Sequence, residues 1–405
     1  MKAYKKHIKY SKINIYMLML AIYPVLNLYY FANTAIYLPQ VITLLLAVYS
    51  LYKKKRIIKG IPLAYILCWA YVAFHDIFFV TPFKLTKLLP GGVNFFMFSI
   101  GWAMYANNFN IQKLRKYVNI VFGFAAILFI YQNIAYYIFG QETSVILPLS
   151  NHMNYGEFTF KELQLHQKYH FNGRFASIFA EPSYWAQYCL VVLALELFCK
   201  ENLNKIYTKK AAIISLVLLL IKSGVGVLGL GLIAIIKLWH IVFKTKNIKK
   251  IGYLILAAPF AILAVYLYAS SDIGQGLIAR GNEISSIQGE GARSAFLRLF
   301  YGWNYLAEIS PVQLMFGADE LVGMSIDENS FFNGMTYFIL LHGIVGFSFL
   351  CIFYYGCARK SVLSGAFAII LLALSMMEAI YLNPIMLMCT VLIVASRMNN
   401  IKVSV

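Results

Sequence analysis

Residues 211–243 read AAIISLVLLLIKSGVGVLGLGLIAIIKLWHIVF, an apolar run of 33 residues interrupted only at Lys222-Ser223-Gly224. At ~1.5 Å per residue, the first arm is about 18 Å long, against a hydrocarbon core of ~30 Å. The two arms therefore predict a short helical hairpin whose apex falls in the outer half of a bilayer. A backbone break at that depth is tolerated only where protein or a wet cavity surrounds it. A lysine there costs ~2.5–3.5 kcal/mol on insertion scales, so Lys222 is expected to face a cavity or a partner, or to snorkel to the headgroups. The hairpin implies a surrounding bundle with a cavity open on one side.

The rest of the chain supplies that bundle. Of 405 residues, 61% are hydrophobic and 13% charged, far from the half-apolar, quarter-charged balance of soluble domains. The apolar residues predict spans near 13–31, 34–51, 60–80, 92–106, 117–139, 182–199, 211–222, 224–243, 251–269, 337–357, 361–380 and 384–396. The expected fold is an all-α polytopic membrane protein, one integral membrane domain over 1–405. It has about 12 transmembrane helices, the short broken hairpin among them. No cleavable signal peptide is evident, because the first apolar stretch is long enough to span and lacks a small-residue cleavage site.

The net charge of +19 raises the possibility of a nucleic-acid partner. A nucleic-acid binder gathers its cations on one face, whereas here they lie in short clusters between spans. With the N-terminus placed inside, 25 of the 35 Lys and Arg fall in cytoplasmic segments and 8 outside. That asymmetry places both termini in the cytoplasm and excludes nucleic acid as a partner. The six cysteines lie in or beside spans without CxxC spacing, so neither a disulfide framework nor a zinc site is indicated. Two outside segments, 141–181 and 270–336, are too long to be simple connections. The second contains ARSAFLRLFYGWNYLAEI (292–309), amphipathic and too polar to span, expected to lie on the outer surface or to cap the bundle.

The densest chemistry is in Asn172-Gly-Arg-Phe-Ala-Ser-Ile-Phe-Ala-Glu-Pro-Ser-Tyr-Trp-Ala (172–186). Pro182 disfavours helix at Glu181 and suits the first turn of the helix that follows. Arg174 and Glu181 are thereby expected at the outer mouth of a span. They read equally as a functional pair and as an interfacial anchor, with Tyr184 and Trp185 in an aromatic belt.

GRFASIFAEPSYWAQ resembles the R-x-x-S-x-F-x-E-P-S-Y segment of Wzy-type polymerases of O-antigen and capsular polysaccharide. KSGVG (222–226) resembles the polar break of a hairpin that follows it. Arg293 with Trp303 and Phe316-Gly317 resembles that family's second outside loop. Asn329-Ser330-Phe331 and His342-Gly343-Ile344-Val345-Gly346 resemble the start of its next span. Glu378 with Asn383-Pro384 resembles a late acidic residue and helix break. The resemblance covers roughly 170–385. Two departures stand out: Glu328 where the ligase branch carries His, and Ala318 where many members repeat a Gly.

The resemblance implies a metal-independent glycosyltransferase without cofactor, in the bacterial cytoplasmic (inner) membrane. A glycan on polyprenyl pyrophosphate would be transferred at the outer face to another lipid-linked repeat, and polyprenyl pyrophosphate would leave. Implied partners are the polyprenyl-pyrophosphate-linked oligosaccharide, membrane lipids, a chain-length regulator and a flippase. Such chemistry needs cations for the pyrophosphate, a base for the acceptor hydroxyl and a surface for sugars. The catalytic candidates are Glu181 as first base, Glu328 as second, and Arg174 and Arg293 as pyrophosphate clamps. Lys222, Arg298, Tyr184, Trp303, Asn329 and His342 are the substrate-binding candidates. Arg298 reads first as a surface residue of the amphipathic helix, and His342 as a packing histidine before a proton carrier. A fixed salt bridge of Glu181 to Arg174 competes with a catalytic role. Glu162, His166 and His170 share a helical face that could take a divalent metal, though a solvated or sugar-facing helix is the plainer reading. The competing functions are an O-antigen ligase and a lipid-oligosaccharide flippase. The flippase is disfavoured because the chain shows neither pseudo-symmetric halves nor a charged path across the membrane.

Overall fold

The computed structural model describes residues 13–31, 37–54, 63–78, 97–141, 143–146, 153–155, 174–244, 270, 293–318, 332–377 and 383–402. The first half holds α1 (Ile15–Leu26), β1 (Tyr29–Phe31), α2 (Leu38–Lys54), α3 (Leu63–Phe78), α4 (97–107), α5 (Ile111–Phe139) and β2 (Met153–Tyr155). There follow α6 (Pro182–Phe198), α7 (Lys209–Leu220) and α8 (Gly224–Trp239), which ends in a π-helical turn over His240–Lys244. The last part holds α9 (Arg293–Glu308), α10 (Pro311–Phe316), α11 (Gly334–Ala358), α12 (Val362–Met377) and α13 (Pro384–Lys402).

Each expected span that falls among the described residues contains a helix; 251–269 lies outside them. Among the described residues, three helices are long and apolar enough to cross a membrane: Ile111–Phe139, Gly224–Val242 and Gly334–Ala358. Ile15–Leu26, Leu38–Lys53, Tyr65–His75, Val362–Met377 and Pro384–Ala395 are apolar but shorter. The all-α expectation is corrected in one place. Tyr29–Phe31 pairs antiparallel with Met153–Tyr155, Tyr30 opposite Asn154. Helix α1 stops at Leu26, two residues past its internal Pro24, and the aromatic Tyr29-Tyr30-Phe31 is better suited to a strand. The ribbon ties the first long loop to the α1–α2 connection. The expected connection over 107–116 is also shorter, because α5 already begins at Ile111, where the Asn110 side chain accepts from the Lys113 amide.

Helix α5 shows why this bundle needs lipid. Leu114, Val118, Phe122, Ala125, Phe129 and Gln132 face the core. Ile120, Phe124, Ile127, Ile130 and Ile134 on the other side are exposed. A helix apolar all round, with one face in protein and the other bare, matches a hydrocarbon surround and not water. Helix α6 is the opposite case. Every residue from Trp185 to Phe198 is buried, enclosed by α5, α7, α8, α12 and α13.

The hairpin forms as the sequence predicts. Ile221 and Lys222 make the turn, Lys222 with φ 56°, and both arms pack on α6. The close approach uses glycine: a side-chain carbon at Gly229 would run into Leu190 of α6. The amphipathic segment forms α9 and caps α11 and α12, with Gly302 seated against Thr336.

Candidate functional site

The segment before α6 is an irregular insert in the bundle. Phe175, Ala176, Ser177 and Phe179 are buried although none is helical. Such backbone must find partners inside protein, and α5 supplies them. The Ser177 hydroxyl donates to the Ala125 carbonyl at 2.6 Å. The Ser177 amide donates to Gln132 Oε1 at 3.0 Å. Gln132 Nε2 in turn donates to the Thr143 carbonyl at 2.9 Å. One buried glutamine therefore ties together both sides of the first long loop. Ser177 adopts φ 54°, a left-handed turn, that directs Phe179 onto Trp185, stacked at 5.2 Å. Trp185 meets Phe122 of α5 at 5.7 Å, and the Tyr188 hydroxyl donates to the Ala21 carbonyl of α1 at 2.9 Å.

Depth follows from these contacts. Ala125 is the midpoint of the 29-residue α5, so Ser177 lies about 21 Å below Phe139 at ~1.5 Å per residue. The sequence placed Arg174 and Glu181 at the mouth of a span, whereas the segment joining them descends to half the depth of α5. Glu181 is the N-cap of α6, exposed, and makes no side-chain cap bond. Its carboxylate accepts from the Ser183 hydroxyl at 3.1 Å. No Glu181–Arg174 ion pair is present among the described residues, so the fixed salt bridge is not what holds the carboxylate in place.

Arg174 and Lys222 are brought to one end of α5. Lys222 Nζ donates to the Tyr137 hydroxyl at 2.6 Å and lies 5.3 Å from that ring's centre. Tyr137 packs edge-on to Tyr136 at 5.0 Å. Tyr136 packs edge-on to Phe175, next to Arg174, at 5.5 Å. The exposed carbonyls at the C-terminus of α5 carry partial negative charge, which favours cations at this end.

A cavity of about 160 Å³ opens between helix ends, lined by Tyr23, Asn27, Gln40, Ala180, Tyr184 and Asn383 among others. Ala180 and Tyr184 bracket Glu181. Asn383 is held rigidly: its Nδ2 donates to Gln187 Oε1 at 3.2 Å, and its Oδ1 accepts from the Ile385 amide at 2.6 Å. Gln40 Oε1 accepts from the Tyr37 amide at 3.0 Å. Sequence reasoning missed Asn27, Gln40 and Gln187. The available signal was a polar residue shortly after a proline within an otherwise apolar stretch: Asn27 after Pro24, Gln40 after Pro39 and Gln187 after Pro182.

The remaining candidates form a second assembly. Arg293 opens α9 and Arg298 lies in its second turn, with Trp303 half-exposed further along. Tyr301 and Tyr305 pack edge-on to Phe332 at 5.4 and 5.5 Å. The Phe316-Gly317-Ala318 string docks against a kink in α11: the Ala318 amide donates to the Leu340 carbonyl at 2.8 Å. Gly343 makes that kink with φ 66°, and Gly317 faces it with φ 102°. A side chain at either would strike backbone, Leu341 for Gly317 and Met315 for Gly343. His342 is buried at the kink, 5.9 Å ring to ring from His75 and 4.8 Å from Phe338. Glu328, Asn329, Glu162, His166, His170 and Glu378 lie outside the described residues. No metal-ligand cluster occurs among the described residues.

At the opposite end, a polar knot closes the bundle. Arg115 pairs with Glu196 at 3.3 Å and Glu201 at 2.8 Å. Lys237, read from sequence only as a charge within a span, is buried. Its Nζ donates to the carbonyls of Leu197, Asn202 and Leu203 at 2.8, 3.1 and 2.8 Å. It thus fastens the end of α8 to the last turn of α6 and to the loop that follows it, satisfying the open Leu197 carbonyl and two loop carbonyls.

The architecture defines the class: a helical membrane protein with an irregular segment buried at half depth. Comparison with protein-family models, curated proteins and solved structures returns no match.

Proposed function

We propose that this chain polymerises polyprenyl-pyrophosphate-linked oligosaccharide repeat units into O-antigen or capsular polysaccharide at the outer face of a bacterial cytoplasmic membrane. The observation that carries this reading is the build of residues 174–184. The stretch that resembles the polymerase motif is also a non-helical stretch that α5 holds inside the bundle, and it carries an exposed carboxylate. In this reading about a dozen helices cross the membrane, both termini are cytoplasmic, and the Phe139 end of α5 faces outward. Glu181 takes the proton of an acceptor hydroxyl as that oxygen attacks the anomeric carbon of the donor. The bond from that carbon to the pyrophosphate oxygen breaks, and the departing negative charge falls to Arg174, Lys222 and Arg293. Arginine suits this work because its planar fork grips phosphate oxygens in pairs.

The test is the polysaccharide made by a deletion strain. Single repeat units at the surface are the expected outcome. Long chains stranded on polyprenyl carrier would identify a ligase and refute the polymerase. Orientation is tested separately with single cysteines in a cysteine-free background. An impermeant reagent on intact cells should label position 289 and spare 246; the reverse would invert the topology.

A further inference from the structure

We infer that the cavity beside Glu181 is a subsite for one uncharged sugar ring, the non-reducing terminal residue of the acceptor. This rests on the transferase reading and adds to it which kind of sugar is taken. Asn27, Gln40 and Asn383 bring amides to the lining, and Tyr37 and Tyr184 bring phenols. Each such group both donates and accepts, which matches hydroxyls and acetamido groups. Among the described residues no charged side chain lines the cavity. Arg174 and Lys222, the cations gathered at the end of α5, are absent from its walls. A carboxylate entering here would lose its hydration without gaining a counter-charge, which is strongly unfavourable. A neutral ring loses only hydrogen bonds that the amides restore.

The groups are also oriented in advance. Asn383 is pinned by Gln187 and by the Ile385 amide. Gln40 is pinned by the Tyr37 amide. The backbone N–H of Asn27 closes α1 onto the Tyr23 and Val25 carbonyls, which fixes the backbone of this lining residue. At about 160 Å³ the space suits one pyranose and not a chain of them. Pro24 and Pro384 add apolar surface for a ring face. Because Ala180 and Tyr184 form one wall, a ring seated here has a hydroxyl edge beside Glu181, where the proposed proton transfer takes place.

The test uses the full-length protein in detergent and saturation-transfer NMR. The probes are methyl glucoside, methyl N-acetylglucosaminide and methyl glucuronide. The neutral glycosides should bind at least tenfold better than the glucuronide, a comparison that needs no variant to fold. Asn27→Leu and Ala180→Phe should each weaken neutral binding at least tenfold at an unchanged melting midpoint, one by removing an amide and the other by filling the space. Equal or better binding of the glucuronide would overturn the proposal, as would wild-type binding by both folded variants. Failure of the transferase reading shows elsewhere, as an unaltered polysaccharide in the deletion strain. Neutral binding that survives that result would keep the sugar site and remove only its role as acceptor subsite.

Discussion

Gln132 is where the structure can be tested most directly. Gln132→Leu keeps the size of the side chain and removes both its bonds. The Ser177 amide, fully buried, and the Thr143 carbonyl, partly buried, then lose their partners. A buried polar group left unpaired costs ~1–3 kcal/mol, so the pair amounts to about 2–4 kcal/mol. At ~2 °C per kcal/mol for a long chain, the melting midpoint should fall by about 4–8 °C. The readout is a thiol-reactive dye, because Cys189 is buried one turn from Trp185 while Cys351 is exposed and can be replaced by serine to lower the background. Asn133→Ala is the control. Its amide bonds only to the Phe129 carbonyl of its own helix, and its midpoint should move far less. Polymer synthesis should drop with Gln132→Leu at matched protein level, since the insert carrying Arg174 and Glu181 loses its anchor. A wild-type midpoint and wild-type dye kinetics in Gln132→Leu would refute the account of the insert as held by α5.

Lys237→Met removes three bonds to carbonyls in the last turn of α6 and the loop after it and should cost about 2–4 kcal/mol, read as faster dye reaction at Cys199, whose Sγ bonds to the Glu196 carbonyl in the same knot. Gly343→Ala and Gly317→Ala each push a methyl into backbone and should reduce accumulation of folded protein, whereas Gly123→Ala, with open space around it, should not. Glu181→Gln should slow polymerisation ~10²–10⁴-fold at an unchanged midpoint, and turnover in excess EDTA should match that in Mg²⁺; strict metal dependence would defeat the cation-only mechanism. The hydrogen bond from Arg115 holds the Glu201 carboxyl below its ordinary range. Its stabilisation is therefore present above the unfolded-state value and lost as pH falls through the lowered one, so Glu201→Gln should flatten the acid limb of a midpoint-versus-pH curve.

The sequence by itself determined that this is a helical membrane protein and where its helices fall. Hydropathy and helical breaks are local: the apolar arms around Lys222-Ser223-Gly224 required a hairpin, and Pro182 and Pro384 started helices at themselves. It also marked 174–184 as the stretch worth watching, because polar and charged residues there interrupt an apolar context. What sequence could not reach is depth and partnership. The descent of Ser177 to the middle of α5 depends on Gln132, which lies 45 positions away, inside a helix whose own pattern is fully explained by packing. The strand Tyr29–Phe31 is invisible until Met153–Tyr155 lies beside it, since a three-residue strand exists only as half of a pair. Lys237 reads as an oddity within an apolar run until the carbonyls of Leu197, Asn202 and Leu203 surround it. The cavity beside Glu181 is built from five separated stretches of chain, each unremarkable alone. Apolar periodicity is written along the chain, but the satisfaction of a buried polar group is decided by whichever distant residue the folded bundle brings to it.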